Sequence, residues 1–463
     1  MVDYKGLKVF TVKNILFLFL VLTLLLQFLF LIWNTIWTQG DEPHYIVATQ
    51  SLIRDFDLNL TNNMVQKDYC EHHCEPNFVL HANVDKVGNL RPVHGYLLSF
   101  ITAPGYVLAK MLGARITIFL IHLLGVFLIY IFLSTILEFS KSYTLFTLIC
   151  YNLSLPVFLY SRLIFPDFMV GYMYLSGFIS AWVFIQNKNK FWLIISSLMA
   201  SLPILMHTKY LVLTVLFLLS FGIYTKLHDF KKLKFKDVFC FILPFIAVVM
   251  TYSFISIAWY GKIVSNAVDL KDTSQFIGNP FIGFFGQLLD REFGLFVNSP
   301  IWLLLIPGLQ LAWKNYKQIT KFVLFPILVY YVLTSFFNQW YAGYAPGPRF
   351  IMTFLPFLTF PLCLGVRWVW SYITGRVFII GIFLENIFLI FAMTKTSRFG
   401  WPWFLSYNDN WRVILKKFGA LSLEGFIGLD YYAHPTPQVI FIGVVFSSFL
   451  WYLSTFLISK SKS

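Results

Sequence analysis

Long apolar runs alternate with short polar breaks along almost the whole chain. The first run carries no charge from Ile15 to Trp33. A helix rises about 1.5 Å per residue, so roughly 20 apolar residues cross a bilayer core. Runs of that kind predict spans at 14–35, 115–138, 142–161, 167–186, 190–207, 209–227, 237–259, 293–313, 320–338, 349–370, 376–394 and 437–458. The expected fold is therefore all-α and polytopic, with about twelve transmembrane helices. The first run is too long for a signal-peptide core and lacks a small-residue cleavage site, so it is expected to be a retained helix.

One apolar stretch breaks the series. In "VHGYLLSFITAPGYVLAKM" (93–111), Pro104 and Gly105 interrupt the run. If this stretch spanned, every later loop would change side. The basic segment "KLHDFKKLKFK" (226–236) would then lie outside, against the positive-inside rule. Read as a juxtamembrane segment, it leaves the basic clusters and both termini in the cytoplasm. The acids Asp41, Glu42, Asp55, Asp57, Asp68, Glu71, Glu75 and Asp85 then share one long outer loop. The whole chain, 1–463, reads as one integral-membrane domain. Its parts include a first outer loop at 36–113 and an outer aromatic-rich segment at 395–436.

Composition agrees with this picture. The chain is 58% hydrophobic and 12% charged, where soluble domains carry roughly 25% charged residues. A net charge of +14 suggests nucleic acid, but the basic residues sit in short clusters between apolar runs, as topology requires. No nucleic-acid partner is expected. Five cysteines are too few for a disulfide scaffold. Cys150, Cys240 and Cys363 fall in predicted helices and read as inert.

Candidate chemistry gathers on the outer side. "GDEPHY" (40–45) follows the first span. Its acids either end a helix in a solvated turn or offer a partly desolvated general base. Cations able to grip a phosphate are few there: Arg91, Arg349 and Lys209, with Arg162 as a fourth that could instead pair with Asp167. Snorkelling to headgroups is the plainer reading of the arginines. Asp167 suits the start of its helix through the dipole alone. His44 and His94 could hydrogen-bond a sugar or phosphate, and Tyr45 and Tyr344 complete the substrate-binding set. "YCEHHCEP" (69–76) reads as a weak metal pair or, on an oxidising face, as a Cys70–Cys74 disulfide. His122 and Glu385 fall mid-span, where ionisable residues are functional by default or bond across helices.

"GDEPHY", "RPVHGYLLSFITAPGYVLAK" (91–110), "YSRLIFPDF" (160–168), "DREFGLFVNSPIWLLLIPGL" (290–309) and "WYAGYAPGPRF" (340–350) stand in an order that resembles the GT-C glycosyltransferases. The likeness is to the branch with the protein O-mannosyltransferases and the lipid A aminoarabinose transferase. It covers most of the chain but carries no motif beyond about residue 370, and Val93–His94 stand where members often have Pro. The resemblance implies an inverting enzyme whose donor is a polyprenyl-phosphate sugar. It makes Asp41 the base, Glu42 its partner and Asp167 a residue that positions donor or acceptor. It favours Arg349 and Arg91 as phosphate ligands. The acceptor, a lipid, glycan or protein, stays open. No cofactor is required, and a divalent metal is left open. The expected location is a bacterial cytoplasmic membrane, with the site facing the periplasm or exterior.

Rival functions make different demands. A transporter or flippase for lipid-linked sugars should show internal repeats and mid-membrane polar residues. A glycan polymerase or ligase would carry its Arg- and His-rich loop late in the chain. A non-catalytic scaffold differs only in lacking activity.

Overall fold

The structure, a computed structural model, describes residues 12–33, 38, 40–72, 74, 78–229, 234–263, 277–343, 345–393, 409–422, 428–432 and 436–460. Among the described residues, seven helices are long and apolar enough to cross a membrane: Val12–Trp33, Leu97–Ile136, Pro166–Asn187, Phe235–Tyr260, Lys317–Ser335, Ile373–Met393 and Pro437–Ser459. The other predicted spans are helical too, and all but the one at 209–227 are shorter or broken. Lys141–Leu153 and Leu155–Tyr160 part at Ser154, two residues before Pro156. Lys190–Ser201 tightens into a 3-10 turn at Leu202–Leu205 around Pro203. Tyr210–Asp229 follows. Leu305–Asn315 leaves a 3-10 turn at Pro300–Leu304, and Leu355–Trp370 follows the single turn Arg349–Met352. Proline supplies no backbone donor, so these breaks fall where the sequence cannot continue a ladder. Part of the segment expected at 395–436 lies outside the described residues.

Apolar side chains that face lipid gain little from one another, so the helices are joined by close packing and by interhelical hydrogen bonds. Phe17, Leu18, Leu22, Leu25 and Leu29 of the first helix are exposed. Close backbone approach does more. A Cβ on Gly308 would lie 1.9 Å from the Pro361 carbonyl oxygen, and one on Gly365 2.0 Å from that of Leu304. Helices Leu305–Asn315 and Leu355–Trp370 therefore touch backbone to backbone. Polar side chains bind other helices. His122 meets Tyr172 Oη at 2.8 Å and Gln27 Oε1 at 3.2 Å. Gln27 donates to the Asn152 carbonyl at 2.9 Å. Ser299 and Asn386 join at 2.6 Å. His122 and Asn386 thus act as interhelical ties.

The first loop is itself folded. It contains helices Glu42–Arg54 and Leu60–Val65. It also contains an antiparallel hairpin, Ala82–Val84 with Leu90–Pro92, that the all-α expectation lacked. Asp85 makes the hairpin: its Oδ1 accepts the N–H groups of Val87 and Asn89, at 3.0 and 2.9 Å. The stretch at 97–111 is helical and ends in a sharp kink at Ala109 and Lys110, where Lys110 adopts φ 50°. It folds back on the span it leads into, so closely that a Cβ on Gly105 would lie 2.3 Å from the Gly113 carbonyl oxygen. The kink thus separates a shorter helix, over most of the 97–111 stretch, from the long apolar helix that follows. Glu71 clamps loop and helix together: Tyr106, Gln50, Arg54 and Lys110 all converge on its carboxylate. Beside it, Cys70 and Cys74 form a disulfide.

Candidate active site

Asp41 stands at the N-terminus of Glu42–Arg54. Its carbonyl accepts from the N–H groups of His44 and Tyr45, at 3.0 and 3.3 Å, while its side chain makes no cap. Pro43 near the start of the helix needs no donor there. The carboxylate turns away and meets Arg349 Nη1 at 2.6 Å. The solvated-turn reading of Asp41 therefore does not describe its side chain.

Arg349 is held from both sides. Its Nε donates to Asp167 Oδ2 at 2.8 Å, and its guanidinium lies 4.6 Å from the Phe165 ring centre. The other Asp167 oxygen accepts from Lys209 Nζ at 2.5 Å and from Tyr210 Oη at 2.8 Å. Two acids and two cations, from four distant parts of the chain, so form one connected cluster. Asp167 is fully buried; Asp41, Arg349 and Lys209 keep 15%, 9% and 20% of their side-chain surface. Burial works to raise the Asp41 pKa, but Arg349, with His94 and His44, holds the carboxyl well below the usual range.

Histidines rim Asp41. His94 Nε2 lies 3.9 Å from Oδ2, and His81 Nδ1 3.7 Å from Oδ1. Burial pushes His94 down to about 4, against the pull of Asp41, so it is neutral near pH 7. His44 stacks on His81 at 3.9 Å, and Tyr45 packs on His94 at 5.0 Å. Asp41, His44 and His81 can bring one ligand atom each within 4.8 Å of one another, and imidazole with carboxylate suits a divalent transition metal. Among the described residues the cysteines of "YCEHHCEP" join no such group.

Other expected residues lie elsewhere. Glu42 does not face this cluster. Its side chain is fully buried, with Oε2 taking Arg115 Nη2 at 3.0 Å and Oε1 the Ile164 N–H at 2.9 Å. The sequence reading paired it with Asp41; a helix turns about 100° per residue, which sends adjacent side chains apart. Arg91 is held by Asp85 at 2.9 Å and lies over Trp259 at 5.2 Å, a hairpin partner instead of a member of the cluster. Asp167 takes Lys209 and Arg349, so the suggested Arg162–Asp167 pair does not form; Arg162 lies over Phe30 at 4.6 Å. Tyr344 lies outside the described residues. Arg115, His81 and His207, whose ring lies 5.6 Å from that of His94 and whose Nδ1 accepts the Lys209 N–H at 3.1 Å, were missed. Arg115 was findable: an arginine at the start of an apolar run needs a partner.

The chain shares its fold with ArnT from Cupriavidus metallidurans. The crystal structure of that protein bound to undecaprenyl phosphate aligns with a TM-score of 0.57 at 12% identity, over 96% of this chain and 76% of ArnT. Its apo form gives 0.56 at 12% identity, over 95% and 76%. No family model and no curated protein sequence matches the chain. At this identity the likeness establishes the fold, and it is the fold that the GT-C resemblance implied.

Proposed function

We propose that the protein is an inverting glycosyltransferase, moving a sugar from a polyprenyl-phosphate donor to an acceptor hydroxyl at the extracytoplasmic face. The observation that carries this reading is the placement of Arg349. It joins Asp41 and Asp167 in one cluster, with Lys209 on the far side of Asp167. A guanidinium grips phosphate oxygens bidentately, and an ammonium adds a point charge. A small apolar cavity lined by Tyr174, Phe178, Phe217, Phe322, Phe354 and Phe357 lies further along the helices that begin near Asp167 and Lys209, so the surface behind the cluster is greasy, as a lipid donor requires. ArnT is seen with undecaprenyl phosphate bound, which adds support from a protein of the same fold.

The chemistry then follows from charge. While Arg349 holds Asp41, the carboxylate is a weak base. An arriving phosphate competes for the guanidinium and draws charge away from Asp41, whose basicity rises. The acceptor oxygen attacks the anomeric carbon. Its proton passes to Asp41, the carbon–oxygen bond to phosphate breaks, and the electron pair leaves on the phosphate oxygen beside Arg349 and Lys209. Asp167 holds both cations in place. Glu42, bonded to Arg115, fixes the helix that carries Asp41. No step needs a metal.

The test uses purified protein in nanodiscs with a panel of undecaprenyl-phosphate sugars and, as acceptors, a panel of glycan, peptide and lipid hydroxyls. Release of undecaprenyl phosphate is expected from at least one, and not with Arg349→Ala. A protein that releases none, yet moves a lipid-linked sugar across a liposome membrane, would replace this reading with a transporter.

A further inference from the structure

A second cleft adjoins the cluster through His94. It lies between residues 92–96, the turn at Leu202–Leu205 and the end of helix Phe235–Tyr260, and is lined in part by His94, Tyr96, Tyr252, Ser256 and Trp259. Four buried polar atoms on this wall have no hydrogen-bond partner: Nδ1 and Nε2 of His94, Oη of Tyr96 and Oγ of Ser256. Ser256 is 3% exposed and Tyr96 9%. Buried polar groups are usually paired, and an unpaired one is destabilising. Several orphans on one wall point to something that enters and bonds them.

The surroundings hold this wall in shape. Tyr96 and Trp259 meet edge to face at 6.2 Å, and Arg91 lies over the Trp259 ring. Lys86 donates its N–H to the Trp259 carbonyl at 2.9 Å, tying the hairpin to the helix. Gly95 donates to the Met206 carbonyl at 2.7 Å; a Cβ there would lie 2.1 Å from the Leu205 carbonyl oxygen. The site thus combines aromatic faces with unused hydroxyl and imidazole atoms. Sugar rings offer the complementary surface, with apolar C–H faces and a rim of hydroxyls.

Position decides which sugar. Asp41 Oδ2 faces Arg349 Nη1 at 2.6 Å and His94 Nε2 at 3.9 Å. Arg349 and His94 thus approach the same Asp41 oxygen, so a donor phosphate held by Arg349 and a hydroxyl entering past His94 would both come within reach of the base. We infer that this cleft is the acceptor subsite and that the acceptor is a pyranose, entering edge first to bond His94, Tyr96 and Ser256 and stacking near Trp259. The acceptor role rests on the glycosyltransferase reading; sugar binding at the cleft does not.

Saturation-transfer NMR on the protein in nanodiscs tests it, with methyl glycosides of a hexose, an N-acetylhexosamine, a 6-deoxyhexose and a pentopyranose as probes. At least one should be saturated. Tyr96→Phe and Ser256→Ala should each weaken it about three- to tenfold. Both variants remove an orphan hydroxyl, so their thermal midpoints should hold or rise. No saturated glycoside, or saturation unchanged in both variants, would leave the cleft to ordered water and overturn the inference. Undecaprenyl phosphate binding, followed by native mass spectrometry on the same samples, separates the two claims. Its absence while a glycoside still binds would remove the acceptor role and leave a sugar site.

Discussion

Asp41 and Glu42 are adjacent in the chain, yet their carboxylates meet different surroundings. Asp41 keeps some exposure and faces a guanidinium shared with Asp167. Glu42 is sealed in, with both oxygens taken by Arg115 and the Ile164 N–H. On the proposed mechanism the first acid exchanges partners when a phosphate arrives, whereas the second would have to break a fully buried ion pair to move. Two acids in one dipeptide therefore occupy different settings: one partly exposed in a shared charge cluster, the other closed in a buried ion pair.

Substitution at each acid should break that comparison in opposite ways. Asp41→Asn should lower transfer by about a hundred- to ten-thousandfold, the contribution of a positioned base, with little change in thermal midpoint. Near-normal turnover in this variant would end the assignment. Glu42→Ala should instead destabilise the protein by about 3–5 kcal/mol, because a buried pair loses one partner. A scan of thermal unfolding in nanodiscs reads this, and adding Arg115→Met should recover part of the loss. An unchanged midpoint with abolished transfer would return Glu42 to the chemistry.

Smaller effects sharpen the contrast. Lys209→Met should raise the donor KM about tenfold, the scale of one charged hydrogen bond, and leave kcat within a few-fold. Glu71 clamps the first loop from outside the cluster, and its hydrogen bonds prevail over burial to lower its pKa from 4.5 to about 2. A depressed acid stabilises above its unfolded pKa and loses that stabilisation as pH falls. The midpoint of wild type should therefore drop between pH 4.5 and 2, and Glu71→Gln should flatten that part of the curve.

Much of the fold was legible because hydropathy marks spans by length. Each predicted span coincides with a helical segment. Positive-inside reasoning set 93–111 apart from the spans, and the structure has a sharp kink at its end, where the helix turns back on itself. The hairpin was not legible, since it rests on an Asx turn at Asp85 inside a polar loop. At the site, Asp41, Asp167, Lys209 and Arg349 could each be named alone, as scarce charges beside apolar runs. Their convergence could not, because Arg349 and Asp167 are 182 positions apart. Arg91 shows the same limit: only the fold reveals that Asp85 has already taken it.

The claim that Arg349 exchanges Asp41 for a phosphate has one direct measurement, a cryo-EM structure with undecaprenyl phosphate bound. The phosphate is expected within about 4 Å of the Arg349 guanidinium, salt-bridge range, with the Asp41–Arg349 contact opened. A phosphate seated elsewhere, with that contact still closed, would contradict the account.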